Sequence, residues 1–177
     1  MSDLLALEGA KRKLNILVVN TRGMNVELRE DIDVEVINKS TQPISQQSLR
    51  RFDRLLEAKL EQPDSDKQLW QYVYRYILGV RLLERDNDTQ LDNEEQPLLV
   101  VSAEFCATYL SHEQLSADEA SAFAQDNALY HIWPYWREFV QSVSCRIGLQ
   151  RPINIPTFKL SQAEAGSQNQ QAPHERV

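Results

Sequence analysis

Trp70-Gln71-Tyr72-Val73-Tyr74-Arg75-Tyr76-Ile77-Leu78-Gly79-Val80-Arg81-Leu82 reads as one long β-strand, and it decides the fold class. Successive side chains of a strand point to opposite sides. Trp70, Tyr72, Tyr74, Tyr76, Leu78, Val80 and Leu82 therefore share a face that is wholly apolar or aromatic. Gln71, Val73, Arg75, Ile77, Gly79 and Arg81 form a mixed face. One packed and one mixed face is the pattern of an antiparallel sheet covered on one side. The same alternation returns over 98–110, with Leu99, Val101, Ala103, Phe105, Ala107 and Tyr109 aligned. The polar, acidic stretch 84–97 joins the two strands as a hairpin with a long loop. Whether Tyr72, Tyr74 and Tyr76 are core or an exposed platform stays open at this level.

Downstream, Ser116 precedes Glu119 by three residues, the spacing of a capping box, so a helix is expected to start there. Its apolar positions run through Ala120, Phe123, Ala128, Leu129, Ile132, Trp136, Phe139, Val140, Val143 and Ile147. Pro134 must kink or restart it, because proline donates no amide hydrogen bond. Gly148 is a fitting C-terminal stop. The segment 151–158, with two prolines, reads as extended. The tail 161–177, rich in Gln, Ala and Ser, lacks a packable face and is expected to be disordered.

Upstream, residues 45–61 place Leu49, Phe52, Leu56 and Leu60 at three- and four-residue spacing, the pattern of an amphipathic helix inserted before the hairpin, with a strand left open for the short piece Leu56-Ala58-Leu60. Pro63-Asp64-Ser65-Asp66 closes it with turn residues. Ile32, Val34 and Val36 alternate with Asp33 and Glu35 and predict a strand over 31–38. Residues 14–28 read as a strand with a break at Gly23, and 1–13 as a flexible, polar N-terminal arm. The fold class is α+β: a four-stranded antiparallel sheet with a long kinked helix packed across it. The folded domain spans 14–160.

The composition narrows the function. The chain has 177 residues, 42% of them hydrophobic and 25% charged, enough for a core without staples. Its net charge of -7 disfavours a nucleic-acid partner, because phosphate neutralisation needs clustered Lys and Arg. Cys106 and Cys145 lie in apolar stretches and read as buried thiols in a reducing compartment. No apolar run resembles a signal peptide or is long enough to span a membrane, so a cytoplasmic location is expected.

No catalytic constellation stands out. His112, His131 and His174 form no ligand spacing with each other or with the cysteines, so no metal or other cofactor is expected. His131 and Cys145 are fourteen residues apart. On one helix that is about 21 Å, too far to share a proton. There is no glycine-rich phosphate loop, and the acidic run lacks the glycine and glutamate spacing of a calcium loop.

Two stretches carry a family resemblance. Trp133-Pro134-Tyr135-Trp136-Arg137-Glu138 resembles the Phe-Pro-Tyr-Ala-Arg-Glu run of SecB export chaperones. Pro152-Ile153-Asn154-Ile155-Pro156-Thr157-Phe158 resembles their Pro-x-Leu-Asn-Leu-x-Pro-x-x-Phe segment, slightly shortened. Residues 19–27 are similar, more weakly, to the family's first strand. The resemblance implies the sheet-and-helix fold above and a homotetramer made as a dimer of dimers. It also implies an ATP-independent holdase, not an enzyme, that binds unfolded polypeptide in hydrophobic grooves. Some such proteins deliver precursors to the SecA motor, and others protect antitoxins. A non-chaperone interaction protein on the same fold is the alternative.

The candidate client-binding residues are Met24, Val26, Leu28, Phe105, Tyr109, Ile155 and Phe158, with ordinary core packing as the alternative for each. Trp136, Phe139, Val140 and Val143 form a broad helical band, fitting contact with both the sheet and a second subunit, though a monomeric core also accounts for it. Two features depart from the family: the apolar period of a second helix is lost from Lys159 onward, and 45–61 has no place in the family pattern. They point to a specialised chaperone with a dedicated client, such as an antitoxin.

Overall fold

The computed structural model describes residues 2–61, 68–84, 96–125 and 127–159. The turn expected at 63–66, most of the acidic loop and the tail 161–177 lie outside them.

The chain begins with a helix, α1 (Ser2–Lys13), not a flexible arm. Strand β1 (Asn15–Leu28) follows, with bulges at Leu17 and at Arg22 beside Gly23, where the break is expected. Residues 34–39 form a short helix, α2 (Val34–Lys39), where a strand is predicted. Val34 and Ile37, three apart, turn inward on it, while Lys39 bonds Glu35 one turn back at 2.5 Å. Over so short a run, the alternation at 32, 34 and 36 does not separate the two periods.

The predicted insertion helix at 45–61 is a strand, β2 (Ile44–Leu60). It pairs antiparallel with β3 (Leu69–Glu84), which pairs with β4 (Leu99–Ser111). The sheet is four-stranded in the order β1-β4-β3-β2, so β1 and β2 are its edges. The helix-like spacing in β2 has two causes. A bulge at Asp53 adds a residue, and the edge strand carries apolar groups on both faces. Phe52 pairs with Tyr76 on one face, while Leu49, Leu56 and Leu60 belong to the other.

Two helices complete the chain, α3 (Ala117–Gln125) and α4 (Asn127–Arg146). The capping box forms as expected: Ser116 N–H donates to the Glu119 carboxylate at 2.8 Å, and Glu119 N–H to Ser116 Oγ at 3.2 Å. The helix restarts after Gln125, and α4 then runs through Pro134 without ending there. It stops at Gly148 in a Schellman motif. Gly148 has φ of +87° and donates to Cys145 O at 3.2 Å, and Leu149 donates to Ser144 O at 3.0 Å.

The core lies between the helices and the tyrosine face of the sheet. Tyr74, Tyr109 and Phe123 meet with ring centroids 5.1–5.6 Å apart, and Phe105 meets Trp136 edge-on at 6.3 Å. The open question about the tyrosines is thereby answered: all three are core. Each hydroxyl is tied to backbone at or near α3. Leu115 N–H donates to Tyr72 Oη at 2.8 Å, Tyr74 donates to Ala120 O at 3.4 Å, and Tyr76 donates to Ala124 O. Burial pushes the Tyr74 and Tyr109 hydroxyls well above their ordinary range, so they act as neutral groups here.

Helix α1 is held on α3. Ala10 is fully buried, and Lys13 reaches Glu119 at 2.8 Å. Burial raises the Glu119 carboxyl, but Lys13 and the Ser116 cap outweigh it and hold it below its ordinary value. A Cβ at Gly9 would collide with the Glu119 carboxylate, so glycine permits the close approach.

Candidate functional site

A recess of about 730 Å³ lies between β2 and α3. Its floor is built by Arg50, Phe52, Leu55 and Glu57, the residues of β2 that face the helix layer, together with Tyr76. Its wall is α3, which presents Ala117, Ala120, Ser121 and Ala124. These short side chains leave space that larger ones would fill. Leu129 from α4 closes one end. Phe52 is 43% exposed and meets Tyr76 edge-on at 5.3 Å, so an aromatic ring stands open in the groove. Among the described residues no strand lies beyond the outer edge of β2. From Arg50 to Glu57 that edge runs roughly 20 Å, the length of about six extended residues.

An aromatic cluster continues from the Arg50 end. The Arg50 guanidinium lies over the Phe158 ring at 5.8 Å, and Phe158 packs against Trp133 at 5.2 Å and Tyr130 at 6.4 Å. The extended segment that carries Phe158 is fixed by its backbone. Trp133 Nε1 donates to Pro156 O at 2.7 Å, Arg137 Nε to Ile155 O at 2.9 Å, and Gln46 Nε2 to Asn154 O at 3.3 Å. The two stretches that carry the family resemblance thus bond to one another. Arg137 has a structural part in this, holding the segment against α4.

The predicted client-binding residues do not form one site. Phe158 stands at the groove's end and is half-buried. Met24 and Val26 are exposed, but on β1, three strand intervals or about 14 Å from β2. Leu28 is half-buried at the end of β1. Phe105, Tyr109 and Ile155 are buried in the core, so no client can reach them without opening the domain. On α4, Trp136 and Val140 face the sheet and are buried, which removes them from any subunit surface. Phe139 and Val143 flank them, half-buried. The outward side of α4 instead shows Tyr130 and Tyr135, each about half exposed. Cys106 is buried, with its thiol raised by burial, but Cys145 is exposed, contrary to expectation.

Sequence reading missed Phe52, Leu55, Tyr76, Ala120, Ala124 and Leu129 as one surface. The decisive error was β2: once 45–61 is read as a helix, Phe52 has no place beside Tyr76. A usable signal was the length of β3 and its wholly apolar tyrosine face, which call for a strand partner on each side.

His131 and Tyr109 lie behind the groove, with His131 Nδ1 2.8 Å from Tyr109 Oη. Burial lowers the His131 pKa, so the ring is held neutral. Among the described residues no cluster of His, Cys, Asp or Glu is placed to hold a metal ion, and no helix is long and apolar enough to cross a membrane.

No family model matches the chain. No curated protein matches it by sequence either. Among solved structures, the fold is similar to the SecB-like chaperone Rv1957 of Mycobacterium tuberculosis, described in complex with a ChAD peptide from the HigA1 antitoxin. The two share 15% identity and a TM-score of 0.61, over 88% of this chain and 98% of that one. The chain therefore has the SecB-like fold, as the resemblance at 133–158 implies.

Proposed function

We propose, taking the SecB-like fold as the premise, that this protein is an ATP-independent holdase whose client site is the groove between β2 and α3. The observation that carries this reading is the open ring of Phe52 in a recess of mixed polar and apolar lining, beside a strand edge that no other strand covers among the described residues. An unfolded polypeptide offers apolar side chains and unsatisfied backbone. The recess takes the first, and the β2 edge takes the second by strand addition. Holding a chain this way needs no bond chemistry, only differential burial of apolar surface.

The favoured client is a dedicated one such as an antitoxin, and the solved neighbour's antitoxin peptide supports that choice. Delivery of precursors to the SecA motor is the generalist version. A homotetramer through the outward side of α4, at Tyr130 and Tyr135, belongs to the same reading, and a solution mass measurement tests it.

The main test is aggregation of a chemically unfolded client, followed by light scattering without nucleotide. Wild-type protein in excess should suppress scattering, and Phe52→Ser should suppress it much less while its own melting point falls by no more than a few degrees. Unchanged scattering at every excess of wild-type protein rejects the holdase. Complementation of a strain lacking the export chaperone then separates generalist from dedicated roles.

A further inference from the structure

The sheet's other face carries a charge pattern that the groove does not use. It is the face turned away from α3 and α4, and its side chains stand in rows across the strands. Arg51, Ile77 and Glu104 form one row, and Arg54, Arg75 and Cys106 the next. Arg81 lies further along β3, and Arg22 from the β1 bulge reaches toward Glu104 at 3.8 Å. Five arginines thus gather on one face of a chain whose net charge is -7.

Three acids stand on that face against the five arginines, Glu104, Asp53 and, in the row of Arg81 and Val100, Glu27, and they offset them only in part. Glu104 stands 3.8–3.9 Å from both Arg22 and Arg75, outside close hydrogen-bonding range of either. Asp53 engages only its neighbour Arg54, at 2.8 Å. Arg54 and Arg75 are direct cross-strand partners, an arrangement that costs stability. Arg75 Nε is buried without a hydrogen-bond partner among the described residues. Between the arginines, Leu49 and Leu56 are 55% and 42% exposed, and Val73 and Ile77 are half-buried.

We infer that this face docks an acidic segment of a partner protein, one whose carboxylates alternate with apolar side chains. Carboxylates answer the arginines bidentately, and the apolar side chains Leu49, Leu56, Val73 and Ile77 interspersed with them take the side chains between. A second copy of the chain fits poorly, because stacking this face on itself sets arginine against arginine. A nucleic acid fits poorly too. Its phosphates gain nothing from the apolar side chains, and the acidic chain repels a long polyanion. The face lies on the opposite side of the sheet from the groove, so partner and client are bound together.

The experiment uses the full chain and a short fluorescein-labelled peptide alternating glutamate with leucine, read by anisotropy. The control probe replaces each glutamate by lysine. The expected result is binding of the glutamate peptide alone, weakening as salt is raised. Arg51→Ser with Arg54→Ser should weaken it about tenfold or more, as loss of two charged contacts requires. Phe52→Ser should leave it unchanged. Loss of binding in Phe52→Ser instead assigns the peptide to the groove and overturns the inference. Equal binding of the lysine peptide, or no binding by wild type, does the same. A labelled oligonucleotide that binds more tightly with the same arginine dependence overturns it in favour of nucleic acid. Self-association abolished by the double variant overturns it in favour of a second copy. Failure of the holdase assay leaves this result unaffected, so the two readings stand or fall separately.

Discussion

Tyr76 and Phe52 are cross-strand neighbours on one face of one sheet, yet one is core and the other is open. The difference lies above them. Over β3, α3 accepts a hydrogen bond from Tyr76 and packs Phe123 on Tyr74. Over β2, the same helix presents Ala117, Ala120, Ser121 and Ala124 and stops short. A single helix therefore makes a core on one side of its axis and a groove on the other. The comparison shows that aromatic content does not separate a packed sheet from a binding surface. The size of the side chains facing it does.

The largest expected effect comes from breaking the covered side. Trp136→Ala removes a ring packed on Phe105 and leaves a cavity, at a cost of about 3–5 kcal/mol. Urea denaturation should show a lower midpoint with a similar slope. Phe52→Ser, on the open side, should cost well under that, about 1 kcal/mol or less. It should nonetheless lower client affinity about tenfold, read by titration of a labelled unfolded peptide. Equal destabilisation by both variants would erase the distinction between core and groove. Ser121→Leu sharpens it further: filling the recess from α3 should leave the unfolding free energy within about 0.5 kcal/mol of wild type while blocking client binding.

The smallest effect concerns pH and belongs to the covered side alone. His131 has a folded pKa below its unfolded value, which is about 6.5. Between the two values the unfolded chain binds the extra proton, so stability rises with pH through that window. The contribution is complete above the unfolded pKa and is lost as pH falls through the folded one. Urea midpoints should thus drop below about pH 6.5, and His131→Gln should flatten that part of the profile. An unchanged profile in the variant would assign the acid sensitivity to other groups, with Glu119 next, since its depressed pKa loses stability at lower pH still.

The legible parts of the fold are those where one period is unopposed. Strand β3 is apolar on every second residue because α3 and α4 cover one face completely, and β4 repeats the pattern for the same reason. The capping box at Ser116 and the stop at Gly148 are local devices, set by backbone groups a few residues away, and both form as read. Strand β2 was illegible because an edge strand is half-wet on both faces, and its bulge at Asp53 shifts the count by one. Helix α1 was illegible because its stability comes from Ala10, Gly9 and Lys13 meeting α3, more than a hundred residues along the chain. The candidate site suffered most, since its floor is β2 and its wall is α3.

From sequence alone came the α+β class, the central hairpin, the long C-terminal helical region and the likeness at 133–158 that the structural neighbour supports. These follow from periodicities and local motifs, which need only nearby residues. Only the tertiary structure decided which aromatics are core, that Phe52 stands beside Tyr76 and that five arginines share the open face. Each depends on strand register and on what a distant helix covers, and neither quantity is written in the spacing of any one segment.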